Sequence, residues 1–320
     1  MTAPVAGARW LQDDVARIED LLFSTAANAP HPLIGEAATH LIKAGGKRIR
    51  PTLVLLTSRA GDAGRRATDL AAIALELVHL ATLYHDDVID ETETRRGVPT
   101  VHSKWGTEIA VLAGDYLFAL GSGLGADAGG EVPGILAHAI AEVCSGQIVE
   151  TASIDDPNRS VEQYVETIRR KTAALFRAAC ALGASTSGAE PTARAALEAY
   201  GENAGLAFQV VDDLLDLIGD ADTIGKTPGT DLREGVFTLP VLLACRQNPE
   251  LVDRLARGDR DLSGWLVPLE EAGALAETAR RAVEYAEAAR VELEVFEPSA
   301  WRNELEALLD RTLDQLPARR

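Results

Sequence analysis

Apolar residues recur along this chain at intervals of three and four, as in Ala71-Ala72-Ile73-Ala74-Leu75-Glu76-Leu77-Val78, and no long segment alternates with a period of two. The first spacing gathers apolar groups on one face of a helix, whereas a half-buried strand needs the second. The pattern therefore predicts an all-α protein, with helices near 10–24, 31–44, 48–60, 65–91, 106–126, 131–152, 160–185, 192–218, 237–246, 275–296 and 299–315. Pro51 falls at an early helical position, where its missing N–H costs nothing, and Gly61 reads as a cap behind the same helix. No low-complexity linker interrupts the pattern, so residues 1–320 read as one domain. The least regular stretch, Gly219 to Gly235, is expected to be a mobile loop over a site. The longest unbroken apolar run falls short of the about 20 residues that cross a membrane. Met1 to Trp10 lacks the charged-then-apolar layout of a secretory signal.

Two of the predicted helices end in aspartate clusters of one shape, Asp86-Asp87-Val88-Ile89-Asp90 and Asp212-Asp213-Leu214-Leu215-Asp216. On a helix, Asp86 and Asp90 share a face, as do Asp212 and Asp216. Like charges at that spacing destabilise a helix by roughly 0.2–0.5 kcal/mol, and at a C-terminus they also oppose the helix dipole. A cation would offset both costs. Carboxylates without neighbouring Cys suit a hard ion such as Mg²⁺, which keeps several waters and binds through few carboxylates plus substrate phosphates. The two clusters read as two walls of one metal–phosphate site.

Composition narrows the partners. At 320 residues and 47% hydrophobic, the chain can bury a large core. Its net charge of −18 argues against nucleic acid as a partner. The same charge would repel a phosphate-bearing ligand unless local cations and divalent ions offset it. Three widely spaced cysteines, Cys144, Cys180 and Cys245, read as reduced core thiols and point to a cytoplasmic location. In that compartment the Asn158-Arg159-Ser160 sequon has no role.

The local cations are present in four segments. Gly45-Gly46-Lys47-Arg48-Ile49-Arg50-Pro51 places Lys47 and Arg50 at a turn into a helix, a setting for an anion. Arg95-Arg96-Gly97 follows the first aspartates, Arg169-Arg170-Lys171-Thr172 lies on a helix between the clusters, and Gly225-Lys226 sits in the glycine-rich stretch. Taken singly, the arginine pair reads as a surface salt-bridge network, Lys171 as a solvated helix face and His79 as a core histidine. Taken with six carboxylates in two matched sets, they form an inventory for diphosphate and metal. Other motif likenesses fail: Gly219 to Thr227 has the wrong spacing for a P-loop, and Gly121 to Ala126 closes a helix instead of following a strand.

In these motifs the chain resembles the trans-isoprenyl diphosphate synthases (polyprenyl synthetases), over roughly residues 40–245. The resemblance rests on Gly-Gly-Lys-Arg-x-Arg-Pro at 45–51, His-Asp-Asp-x-x-Asp at 85–90, Arg-Arg-Gly at 95–97, Lys-Thr at 171–172, Phe-Gln-x-x-Asp-Asp-x-x-Asp at 208–216 and Gly-Lys at 225–226. It implies a single-domain helical bundle around a deep central cavity, usually a homodimer. It also implies a Mg²⁺-assisted condensation of isopentenyl diphosphate with an allylic diphosphate. Asp86, Asp90 and Asp212 then look like metal ligands, supported by Asp87, Asp213 and Asp216. Arg95, Lys171 and Lys226 look like the grip on the allylic diphosphate, and Lys47, Arg50, His79 and Arg96 like the isopentenyl diphosphate site. Thr172 and Gln209 would line the reacting carbons. One position departs from the pattern: family members often carry Gly-Lys before the Thr-Leu-Pro at 238–240, and here Gly235 is followed by Val236.

Product length would depend on the wall one turn before Asp86. Ala81 and Thr82, with Val78 a further turn away, are small where short-chain members tend to carry aromatics, which implies an open path and a long-chain product, a precursor of quinone side chains. A geranylgeranyl or farnesyl diphosphate synthase of the same fold stays open, as does a non-catalytic subunit of a heteromeric synthase. A greasy product implies transient membrane contact without an anchor.

Overall fold

Helix α5, Arg65–Ile89, is apolar nearly all the way round, and its residues from Ala71 to Val78 are all buried. A helix with that pattern belongs inside a core, and its position organises half of the protein. The computed structural model describes residues 7–62, 64–219 and 228–316 and is almost entirely helical. Two compact units make up the chain: unit 1 comprises Met1–Ile140, Ala178–Glu198 and Pro298–Leu305, and unit 2 comprises Ala141–Arg177, Ala199–Glu297 and Glu306–Arg320.

In unit 1, α1 (Arg9–Ala27) buries Leu11, Val15, Ile18, Leu22 and Ala26, one stripe at helical spacing. The expected helix over 31–44 is two, α2 (Pro32–Ala38) and α3 (His40–Lys43), because Thr39 turns its hydroxyl onto Gly35 O at 2.7 Å at the break. Helix α4 (Ile49–Thr57) is buried over its length from Pro51. Gly61 behind it is extended, not left-handed. A β-carbon there would stand 2.4 Å from Ser187 O, so close approach rather than capping explains this glycine. After α5 come a two-stranded hairpin, β1 (Thr94–Arg95) with β2 (Val98–Pro99), the short α6 (Val101–Trp105) and α7 (Thr107–Ala128).

Helix α8 (Val132–Ala152) leads into unit 2, where the core gathers Val161, Tyr164, Ile168, Val210, Val211, Phe237, Leu239 and Trp265. Helix α9 (Val161–Ile168) starts at a capping box of Ser160 and Gln163. The helix expected over 160–185 is continuous but contains one π-helical turn, Arg169–Ala173, before α10 (Ala174–Thr186). Helix α11 (Pro191–Ile218) carries the second aspartates at its end, as the periodicity predicts. Three helices beyond it lie outside the expected set: α12 (Thr230–Glu234), α14 (Pro249–Ala256), which is amphipathic with Leu251 and Leu255 buried, and α15 (Leu262–Glu271). The remaining helices are α13 (Leu239–Gln247), α16 (Ala274–Glu292) and α17 (Ala300–Leu313).

Two readings change with the structure. Cys180 and Cys245 are buried free thiols as expected, but Cys144 is exposed on α8. Helices α5, α7 and α8 are long and apolar enough, by length and composition, to cross a membrane, although no unbroken apolar run is. Helix α5 is a core helix, 67% buried over that window, while α7 and α8 are only 33% and 28% buried.

Candidate active site

The last turn of α5 presents the first aspartates in unit 1. Asp86 is half-buried, and Asp90 is the exposed C-cap, its N–H returning to Asp86 O at 2.8 Å. Asp87 points inward, 1% exposed, and accepts from Arg95 Nε at 2.5 Å. Burial pushes its carboxyl above the usual range, against the pull of Arg95. Asp86 and Asp90 thus stand at the surface while Asp87 is held from below.

The hairpin explains how Arg95 and Arg96 divide. Arg95 pairs with Val98, so Arg96 and Gly97 form a two-residue turn with φ of 54° and 75°, the type I′ geometry that suits hairpin twist. Arg96 is carried back to the glycine turn, where Nη1 donates to Leu41 O at 3.1 Å and to Gly45 O. Gly45 itself has φ 87°, which favours glycine. Within the same segment the three cations separate. Lys47 is exposed. Arg48 is left-handed (φ 49°) and buried, bonded to Glu76 Oε1 at 2.9 Å, Glu19 Oε1 at 2.7 Å and Ile42 O at 3.2 Å. Burial works against its charge, but the bonds to Glu19 and the field of Glu76 outweigh it and raise its pKa.

Arg50 donates from Nη1 to His79 Nε2 at 2.9 Å, so the imidazole proton resides on Nδ1, a buried nitrogen with no hydrogen-bond partner among the described residues. Burial lowers Arg50 to about 10, with Glu76 opposing and Arg96 adding to the shift. Burial and then the charges of Arg50, Arg96, Arg95 and Arg48 hold His79 well below the usual imidazole range. His79 is therefore a neutral member of a cationic group.

Farther back on α5, Val78 and Ala81 are 1% and 2% exposed, and Thr82 is half-buried with its hydroxyl donated to His79 O at 2.8 Å. Helix α7 closes on α5 at Gly121, where a β-carbon would meet Ala74 O at 2.8 Å and Val78 Cγ2 at 3.1 Å.

Unit 2 carries the second set. Asp212 is exposed, whereas Asp213 and Asp216 are buried. Asp213 accepts from Gln209 Nε2 at 2.7 Å and from the Tyr164 hydroxyl. Burial and the charges of Asp231 and Asp212 push its carboxyl well up, against those two bonds. Asp216 accepts from Asp231 N at 3.2 Å, which fastens α12 to the end of α11. The chain continues upstream, since Thr172 Oγ1 donates to Gln209 Oε1 at 2.7 Å, giving the series Thr172–Gln209–Asp213–Tyr164. Lys171 pairs with Glu150 of α8. Lys226 lies outside the described residues. Arg170, beside Lys171, is turned away onto Glu166 at 2.8 Å.

Three residues escaped the sequence reading. Tyr164 sits in no motif, yet it is buried and its hydroxyl finds its partner in Asp213. Glu150 had no motif. Arg159, inside the discounted sequon, is 5% exposed, lies 5.7 Å from the Tyr164 ring and reaches Phe237 O at 3.3 Å. Among the described residues no group of three or more His, Cys, Asp or Glu forms a closed metal cage. Oxygen donors in pairs at α-helix ends fit a hard divalent ion that also takes ligand oxygens and water.

Comparison with known proteins bears on these residues. The family described as Polyprenyl synthetase matches residues 31–261. The chain is 38% identical over 309 residues to a nonaprenyl diphosphate synthase of Mycobacterium tuberculosis, covering 94% of this chain and 92% of that one. It is also 38% identical over 292 residues to a short chain isoprenyl diphosphate synthase of Methanothermobacter thermautotrophicus, covering 87% and 89%. The crystal structure of a polyprenyl synthase from Caulobacter crescentus complexed with calcium and isoprenyl diphosphate matches with a TM-score of 0.91 at 35% identity, covering 98% of this chain and all of that one.

Proposed function

We propose a specific reaction for this chain, which belongs to the polyprenyl synthetase family: it is a trans-prenyltransferase that adds isopentenyl diphosphate to an allylic diphosphate, head to tail, and extends the product to long-chain length. The observation that carries this reading is the content of unit 1. Surface carboxylates on Asp86 and Asp90 share a fold unit with the half-buried cations Arg50 and Arg96 and a neutral His79. That combination suits a diphosphate held partly by cations and partly by a divalent ion.

Asp86, Asp90 and Asp212 would hold Mg²⁺, with Asp87, Asp213 and Asp216 steadying the helix ends behind them. Bound there, Mg²⁺ supplies charge neutralisation at the oxygens of the leaving diphosphate. Lys171, Arg95 and Lys226 hold the allylic diphosphate, so its C–O bond breaks against charges already in place. Thr172 and Gln209, tied to each other, face the reacting carbons. Lys47, Arg50, His79 and Arg96 hold isopentenyl diphosphate while its double bond attacks. The proton lost afterwards goes to the released diphosphate, and apolar helix faces keep water from the cation.

Relatives named for nonaprenyl and for short-chain products both share 38% identity with this chain, over 309 and 292 residues respectively. The small side chains of Ala81 and Thr82 support the longer product, a quinone side-chain precursor. The apolar exposure of α7, including Val111, Leu112 and Phe118, supports a homodimer. The buried free thiols support a cytoplasmic enzyme that meets a membrane only through its product.

Incubation with labelled isopentenyl diphosphate, Mg²⁺ and each allylic primer, followed by chromatography of the dephosphorylated products, tests the reading. A ladder running past geranylgeranyl length is expected. Termination at geranylgeranyl keeps the chemistry and refutes the long-chain assignment. No elongation by folded protein refutes the enzyme and leaves the subunit role.

A further inference from the structure

The π-helical turn that carries Lys171 and Thr172 is gripped from two sides by the same device. On α8, Gly146 and Glu150 are one turn apart, and on α11, Gly205 and Gln209 are one turn apart. A β-carbon on Gly146 would fall 2.6 Å from Lys171 N, and one on Gly205 would fall 2.6 Å from Ala173 Cα. Both obstructions are backbone atoms, so no change of rotamer relieves them. One turn beyond each glycine a polar side chain takes hold: Glu150 pairs with Lys171, and Gln209 accepts from Thr172 at 2.7 Å.

Neither glycine has a positive φ, so conformational freedom is not what they supply. A helix-interior glycine costs about 1 kcal/mol relative to alanine, and here the return is proximity. A π-turn interrupts the regular α-helical ladder and is a common feature of functional sites. Its lateral position therefore depends on the two helices that press against it. An added methyl at either glycine would push the turn away by about 1 Å, a displacement large enough to matter for chemistry.

We infer that Gly146 and Gly205 are positioning residues that set where Lys171 and Thr172 stand, and that Glu150 aims the Lys171 ammonium. The inference rests on the allylic role proposed for those two residues. The cations assigned to isopentenyl diphosphate belong to unit 1, whereas every residue of this grip belongs to unit 2.

Steady-state kinetics of Gly146→Ala and Gly205→Ala test it. Each is expected to lower kcat/KM for the allylic diphosphate about 100-fold, with KM for isopentenyl diphosphate held within about twofold. Gly123→Ala is the control, since a β-carbon there meets nothing within 4 Å, and it should match wild type in both constants. Glu150→Ala leaves the backbone contacts untouched and should raise the allylic KM about tenfold. Wild-type allylic constants in both glycine variants overturn the inference. So does a loss of kcat alone that tracks loss of helical circular dichroism, which marks a fold requirement. Should the glycine variants fail to fold, an unchanged allylic KM in Glu150→Ala overturns it. If wild type elongates no primer, the proposed function falls first. Amide exchange at Lys171–Ala173 then decides the placement, with faster exchange in the alanine variants upholding it and unchanged exchange refuting it.

Discussion

Arg50 Nη1 donates to His79 Nε2 across 2.9 Å, so a guanidinium occupies the nitrogen through which the imidazole would otherwise gain its second proton. Burial and four arginines lower its affinity for that proton further. A histidine whose folded pKa lies below its unfolded value of about 6.5 adds stability that is complete above that value and is lost as pH falls toward the folded one. The His79 imidazole resonances should therefore stay unchanged between about pH 6 and 8, where an ordinary histidine titrates. A midpoint within that window would refute the neutral assignment.

Arg48 and Lys47 are neighbours with opposite duties. Arg48→Met leaves Glu76 buried without its counter-charge, and should lower unfolding free energy by about 3–5 kcal/mol in urea melts. Lys47→Ala changes an exposed side chain and should leave stability within about 0.5 kcal/mol, while raising KM for isopentenyl diphosphate. Equal stability losses in the two variants would contradict this division.

Tyr164→Phe removes a donor from a buried carboxyl group and leaves Asp213 with Gln209 as its side-chain donor among the described residues. Thermal unfolding should show a loss of about 1–3 kcal/mol. The Thr172–Gln209 contact loses its downstream anchor, so allylic kcat should fall while KM for isopentenyl diphosphate holds. A variant with wild-type stability would mean that Asp213 does not depend on this hydroxyl.

Ala81→Phe places a ring where the side chain is 2% exposed, beside the wall that would bound the growing product. The product ladder should end several prenyl units earlier, with a stability cost of about 1–3 kcal/mol from overpacking. An unchanged ladder from a stable variant would remove Ala81 from the wall.

Much of this was legible before any coordinates. Helices α5 and α11 are long, apolar-rich runs and end where the aspartate clusters predict, because core burial and helix spacing are both local in sequence. Helix α14 was not expected, although Leu251 and Leu255 keep helical spacing and Asn248 and Pro249 form a start signal at its N-terminus. The π-turn escaped for a different reason. One extra residue per turn leaves composition unchanged, and what fixes it are Gly146 and Gly205, far away in the chain. Arg48 carried the same ambiguity: nothing local says that it faces Glu19 and Glu76 rather than a ligand. Partners brought together only by tertiary packing are invisible to spacing.

The hairpin after α5 sends two consecutive arginines to different tasks, Arg95 to the buried Asp87 and Arg96 to the carbonyls of Leu41 and Gly45. A two-residue turn leaves no slack between them. Inserting or deleting a single residue between Thr94 and Pro99 would exchange the faces, leaving a buried carboxylate without its cation and a guanidinium adrift from the glycine turn. The length of this small loop is therefore under tighter constraint than its side chains, and it is here that a frame-preserving indel would do more harm than most substitutions.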